Sequence, residues 1–475
     1  MKFNFLKKRP RADAHNFAGG EAFVETPKLE LASILLTSTL QDSFYRGADA
    51  TTRRVRELVG SISDKRFIAK AAVYARTQAG IRSVSHLVAA EIAKSVKGES
   101  WTAPFHDRVV HRPNDVIEIL ACYRQNHGKV IPNSLKKGLG RALARFDEHQ
   151  LAKYRKSRAD LSLVDVVNLV HPPATEALGK LVRDELAPAE TWETKLTQAG
   201  AHAENEDDLA NLKREAWTDL IRSRKLGYFA LLRNLRNILA DAPDAVDDAL
   251  AMLRNERLIR KSLVLPFRFL TALEAVQATS LPRAADALAA ISDAVDISLA
   301  NVPSFPGRTL VALDGSASMS GRPLKIGSLF AATLFKANNA DIMLFSNDAR
   351  YVTLNKRDST LSLAKGLEGL AECGGTNFHA IFQHAVCAYD RVIILSDMQG
   401  WIGHSTPVET FRQWKTRHHC DPKVFSFDLQ GYGTLQFPER QVFCLAGFSD
   451  KTMETLKLLD ADPSALIRQI EAVEL

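Results

Sequence analysis

Cysteine is scarce in this chain and never paired in sequence. Cys122, Cys373, Cys387, Cys420 and Cys444 are its five. With no CxxC among them, a zinc knuckle is excluded and a disulfide framework is disfavoured. Free thiols in a reducing cytoplasm are the expectation. His418, His419 and Cys420 are adjacent instead of spaced along one helix face, so they read as surface residues. No run approaches the roughly 18 uninterrupted apolar residues of a membrane span, so no membrane partner is expected. The basic start, "MKFNFLKKRPRADAH", has no apolar stretch behind it. It reads as a flexible tail over residues 1–19 and not as a signal peptide. GxSxG, HExxH and GxxxxGK[ST] are absent, and no Ser–His–Asp constellation stands out. An aspartyl-phosphate phosphatase would need DxD where this chain has Asp314 followed by Ser316. The expectation is therefore a protein without catalytic activity.

What is present is ordinary in bulk and uneven in detail. Hydrophobic residues make up 46% and charged residues 25% of 475, a globular composition long enough for two or more domains. The net charge of +7 is concentrated. Residues 51–158 hold 22 basic and 9 acidic side chains, whereas residues 305–475 hold 17 and 18. A local excess of that size favours a polyanionic partner over a merely solvated surface.

Apolar residues three and four apart run from about residue 28 to 300, in stretches such as "DKRFIAKAAVYARTQAG" and "SVSHLVAAEIAKSV". That spacing predicts helix after helix with short links, an α-solenoid without a strict sequence period. Asp64 and Asn114 stand where N-caps belong, Gly80 and Gly128 where helices stop. "NVPSFPGR", residues 301–308, breaks the pattern and marks a domain boundary. Beyond it, "RTLVALD", "ADIMLFS", "RVIILSD", "KVFSFDL" and "RQVFCLA" alternate with helical stretches. Such alternation predicts a doubly wound α/β domain, whose binding site lies at the carboxyl ends of its strands.

Those ends are rich in oxygen donors. "LVALDGSASMSG" places Asp314, Ser316 and Ser318 after the first strand, "CGGTN" supplies Thr376, and "RVIILSD" delivers Asp397. Hard oxygens in a small octahedral set suit one divalent cation, Mg²⁺ first and Mn²⁺ second. Asp348, His379 and Gln399 read as ordinary loop residues around it.

The DxSxS turn with its two later loops resembles the metal-ion-dependent adhesion site (MIDAS) of von Willebrand factor A domains. The resemblance implies that Asp314, Ser316 and Ser318 form the first metal loop, Thr376 the second and Asp397 the third. The helical half, in "ETPKLELASILLTSTLQDSFYRGADATTRRVRELV" and "IPNSLKKGLGRALARFDEHQLAKYRKSRADLSLVDVVNLVHP", resembles the TROVE module of the Ro autoantigen family. That likeness implies a multidomain protein: an all-α ring of HEAT-like repeats over 20–304, followed by an α/β von Willebrand factor A domain over 305–475. It implies a monomeric ring, small noncoding Y-like RNA on the outer surface, single-stranded 3′ ends of misfolded RNA in a central hole, and association with a 3′-to-5′ exoribonuclease.

The residues agree with an RNA role. Lys136, Lys137, Arg141 and Arg145 recur near helical spacing, and "AKYRKSR" adds Lys153, Tyr154, Arg155, Lys156 and Arg158. Such a face meets phosphates without reading sequence. Tyr154 and His171 offer rings for an unpaired base, although His171 also fits a helix-end residue before Pro172. No RNP1, KH or knuckle pattern supports base-specific reading. Arg82 and His86 are expected as donors facing the hole, and Arg53, Arg54 and Arg56 line either an RNA surface or a solvated helix. The competing expectation is a metal-dependent protein-adhesion module on a helical scaffold with no RNA role.

Overall fold

The computed structural model describes residues 14–15, 21–24, 27–37, 48–78, 80–155, 161–188, 192–403, 406–429, 434–436, 442–446, 453, 456–457, 460 and 465–475. The chain divides into two compact units. One takes residues 303–466 together with 1–51, the other 52–302 together with 467–475.

The N-terminal part carries strands β1 (Ala14–His15) and β2 (Glu21–Val24) and helix α1 (Pro27–Thr37). Ala14 and His15 pair with β2, so that piece of the expected flexible tail is ordered strand. β2 pairs antiparallel with a two-residue strand late in the chain, Thr434–Leu435. β2 and α1 therefore associate with the α/β unit, not with a helical unit starting at residue 20.

The helical unit begins with α2 (Ala48–Ser61), α3 (Lys65–Thr77), α4 (Ser83–Ser95), α5 (Thr102–Arg108), α6 (Pro113–His127), α7 (Asn133–Ala144), α8 (Glu148–Lys153), α9 (Leu163–Val170) and α10 (Glu176–Val182). It continues through α11 (Trp192–His202), α12 (Glu206–Arg222), α13 (Tyr228–Asp241), α14 (Val246–Leu253), α15 (Glu256–Ser262), α16 (Leu270–Gln277) and α17 (Ala284–Ser298). Neighbours in sequence, or next but one, pack together: α3 on α4, α4 on α6, α5 on α7, α11 on α12. Local pairing of this kind is solenoid architecture. None of the described helices is long and apolar enough to cross a membrane.

The caps explain the boundaries. Asp64 accepts a hydrogen bond from the Phe67 amide at 3.0 Å and starts α3, and Gly128 ends α6 at φ 88°. Asn114 is not the cap expected of it. Pro113 already occupies the first turn, Arg112 is the N-cap, and Asp115 receives the Arg112 amide at 3.0 Å.

The α/β unit is a six-stranded sheet. Its strands are β3 (Thr309–Asp314), β4 (Ala340–Phe345), β5 (Ala349–Val352), β6 (Arg391–Ser396), β7 (Lys423–Asp428) and, past the two-residue strand β8 (Thr434–Leu435) that pairs with β2, β9 (Val442–Ala446). The order is β5-β4-β3-β6-β7-β9, parallel except for edge strand β5. Helices α18 (Arg322–Ala337), α19 (Thr360–Gly369), α20 (Phe378–His384) and α21 (Val408–His418) lie between the strands in sequence. β3 and β6 are buried along their whole length, as a sheet covered on both faces requires. The chain leaves β3 toward β4 and returns on the other side at β6. The topological switch point therefore lies between β3 and β6, where such sheets bind ligands.

Candidate functional site

β3 ends in Asp314 and β6 runs directly into Asp397, so the parallel register of these neighbours brings two carboxylates to the switch point. Asp314, Ser316, Ser318, Thr376 and Asp397 are all buried. Backbone bonds lace the three loops together. Cys373 N–H donates to Gly315 O at 2.8 Å and Ala317 N–H to Gly374 O at 3.0 Å, while the Trp401 and Ile402 amides both donate to Thr376 O. The oxygen donors thus sit in one place on a tied framework.

Asp314 Oδ1 accepts the Ser316 amide at 2.8 Å, and its Oδ2 accepts the Ser396 hydroxyl at 2.5 Å. Ser316 Oγ and Ser318 Oγ are 3.3 Å apart. Asp397 Oδ1 accepts the Gln399 amide at 3.1 Å, whereas its Oδ2 is buried with no hydrogen-bond partner. Burial, then the charge of Asp397, pushes the Asp314 pKa up. Burial also raises Asp397, with Ser318 and the Gln399 amide pulling the other way. Among the described residues no cationic side chain pairs with either acid. Two buried carboxylates, one orphaned oxygen and three hydroxyls form a donor set that fits a small divalent cation. Met398 and Cys373 flank the site at φ 59° and 52°, left-handed conformations that non-glycine residues hold at some cost. Sequence inspection has no signal for that strain. Asp348 lies apart, 2.8 Å from His384, and His379 bonds Thr410 at 2.8 Å.

On the helical unit, Lys137 and Arg141 are exposed one turn apart on α7 and Lys136 is half-buried beside them. None of the three has an ion-pair partner among the described residues. α7 packs against α9, and a Cβ on Gly140 would lie 3.3 Å from Pro172 Cα. That approach sets the α7 segment beside the turn bearing His171, which is exposed and ends α9 in a left-handed conformation. Lys153 ends α8 exposed, with Tyr154 half-buried after it. Arg155 is paired with Asp184, and Arg145 with Asp107 at 2.7 Å. Lys156 and Arg158 lie outside the described residues. On α2, Arg54 and Arg56 pair with Glu57 and Glu91, while Arg53 is exposed.

Arg82 and His86 are corrected by the structure. His86 is buried, with Nδ1 2.8 Å from Glu118 and Nε2 3.4 Å from Asp115. Arg82 bonds Asp115 at 3.1 Å and Glu118 at 2.9 Å. Both residues are consumed by an internal ion cluster, because the acids that hold them arrive from α6, a helix away. His86, Asp115 and Glu118 converge closely enough to suggest a metal site. Asp115, however, already carries Arg76 at 2.7 Å as well as Arg82, and two guanidinium groups on the same carboxylate leave no place for a cation.

A TROVE domain model matches residues 30–184 and 168–294, more than half of the chain. Telomerase protein component 1 of Rattus norvegicus is 23% identical over 345 residues, and its Mus musculus counterpart 23% over 347. Each alignment covers 53% of this chain but only 13% of the relative, so the chain spans a small part of those proteins. The crystal structure of the Ro (RSR) protein of Deinococcus radiodurans matches 94% of this chain and 99% of its own, with a TM-score of 0.63 at 18% identity, a likeness of fold. The chain belongs to the TROVE domain family.

Proposed function

We propose that the protein binds RNA through its helical unit, as a Ro-like ribonucleoprotein component without catalytic activity. The observation that carries this reading is the α7 face. Lys136, Lys137 and Arg141 have no ion-pair partner among the described residues, in a chain whose helical unit is a TROVE domain. Lysine and arginine left unneutralised gain free energy from phosphates by counterion release. In the fuller form of the proposal, a small Y-like noncoding RNA occupies this outer face, with Lys153, Tyr154 and His171 extending it. Single-stranded 3′ ends of structured or misfolded RNA enter a ring formed by the chain, and a 3′-to-5′ exoribonuclease receives them. Asp314, Ser316, Ser318, Thr376 and Asp397 would hold one Mg²⁺ or Mn²⁺, directly or through water. The ion would supply positive charge able to take an acidic group as its last ligand.

A gel shift comparing a duplex carrying a 3′ single strand with the same duplex made blunt tests the reading. Preferential binding of the tailed duplex at physiological salt supports it, and equal binding removes the end-recognition element. The buried oxygen set of the α/β unit favours a second reading, a metal-dependent protein-adhesion module. That reading gains if the protein purifies from its native cells without RNA and with a partner released by chelator.

A further inference from the structure

From residue 201 to 304 acidic side chains outnumber basic ones, 15 to 13, and nothing in that stretch reads as a polyanion site. Folding sorts those charges. Arg222, Arg224, Arg257 and Lys261 line a groove of about 900 Å³, and Asp248 is the one acid in its lining among the described residues. Arg222 occupies Asp248 at 3.2 Å. Arg224, Arg257 and Lys261 remain exposed, with no ion-pair partner among the described residues.

A second cleft, of about 190 Å³, opens beside the first, and Leu226 and Gly227 line both. Lys153, Lys195 and Lys225 surround it with Glu193 as its one acid among the described residues. Lys195 is held by Asp219, while Lys153 and Lys225 are exposed and have no ion-pair partner among the described residues. The wall is Trp192, fixed by stacking on buried Trp217 with centroids 5.9 Å apart and planes 18° from parallel. Gly227 is the N-cap of α13, supplies no side-chain cap, and is followed by a first turn without acids. The orphan amides of that turn add donors on the same side of the charge balance.

We propose that the two clefts form one track for a single-stranded RNA segment. Arg224, Arg257 and Lys261 take its phosphates in the larger groove, Lys153 and Lys225 continue the path, and Trp192 stacks an unpaired base. The chemistry selects this ligand because an aromatic wall set among unneutralised cations is the arrangement that holds a base and its backbone together. The track shares only Lys153 with the extended α7 face, does not include Lys136, Lys137 or Arg141, and rests on the RNA-binding reading.

Fluorescence anisotropy of the full chain with a labelled oligouridine tests it. Arg224→Glu, Arg257→Glu and Lys261→Glu combined should weaken binding about tenfold or more and reduce the slope of log affinity against log salt by about 2, since each lost single-strand contact removes roughly 0.7. Trp192→Ala should weaken binding about fivefold or more with the salt slope kept, and Trp192→Phe should recover most of the loss. If the triple reversal melts early, the milder Arg224→Gln with Lys261→Gln reads a smaller loss in the same direction. A triple variant with wild-type affinity and slope, beside an α7 reversal that abolishes binding, overturns the track and leaves the RNA reading standing. A wild-type chain that fails to bind oligouridine or any tailed duplex overturns both.

Discussion

Asp314 Oδ2 accepts the hydroxyl of Ser396, a residue 82 positions away on the neighbouring strand, at 2.5 Å. One strand end thereby holds the carboxylate of another, and Asp397 follows immediately. Burying this pair without a counter-charge costs stability, which a bound cation would restore. Mg²⁺ at 100 times its dissociation constant should stabilise the α/β unit by about 2.7 kcal/mol, seen as a rise in Tm by calorimetry. Asp314→Asn should abolish that rise without lowering metal-free stability, because it removes a buried charge and keeps the shape. A wild-type Tm indifferent to both Mg²⁺ and Mn²⁺ sinks the metal proposal.

Asp115 is the hub of the other buried cluster. It accepts Arg76 at 2.7 Å and Arg82 at 3.1 Å, and the amides of His111 and Arg112 at 2.9 and 3.0 Å. Asp115→Ala leaves Arg76, 5% exposed, as an unpaired buried cation. The expected cost is about 3–5 kcal/mol in chemical denaturation. A loss under about 1 kcal/mol would show that the cluster is solvated in solution.

The same cluster sets a pH dependence. Burial disfavours the charged His86 ring, but Asp115 and Glu118 outweigh it and raise its pKa. Burial likewise opposes the Asp115 carboxylate, yet His86 and Arg76 hold its pKa below the ordinary range. Stability from a raised histidine is complete below the unfolded value near 6.5 and is lost as pH rises through the folded value. Stability from a depressed carboxylate is present above about 3.9 and lost as pH falls. The cluster is therefore most effective between about pH 4 and 6.5. The stability difference between the wild type and His86→Gln should shrink as pH rises from 6 to 9, and a difference that grows contradicts the assignment.

Gly138 tests the packing of α7. A Cβ there would meet His106 Cβ at 2.4 Å and Ala103 O at 2.5 Å. Gly138→Ala should cost about 1–3 kcal/mol by overpacking, although alanine favours helix by about 1 kcal/mol. Gly366, in α19, has nothing within 4 Å of such a Cβ. Gly366→Ala should be neutral or stabilising by up to about 1 kcal/mol. Equal effects at the two sites in thermal melts would contradict the close approach of α5 and α7.

The strands of the α/β unit and its oxygen-rich turns were legible because periodicity and local order carry them. "RTLVALD" is an apolar run ending in an acid whatever surrounds it. Edge strand β5 was not legible, since four residues of which only Ala349 is buried form a strand only through pairing with β4. His86 looked available because its partners lie about 30 residues on, and only the packing of α4 on α6 joins them. Charge counted along the chain found the α7 face but not the groove around Arg224, Arg257 and Lys261. There two neighbouring acids are already paired, Asp248 with Arg222 at 3.2 Å and Asp247 with Arg283 at 2.6 Å.

The α7 face is where RNA binding is most directly tested. The decisive measurement is the affinity for a tailed duplex RNA, followed as salt is raised, for the wild type and for Lys136→Glu, Lys137→Glu and Arg141→Glu combined. The wild type should lose affinity steeply with salt, and the variant should bind at least about tenfold more weakly with a shallower slope, by roughly 0.7–0.9 for each phosphate contact removed. A folded variant that binds with unchanged affinity and slope would contradict the claim that this face meets RNA.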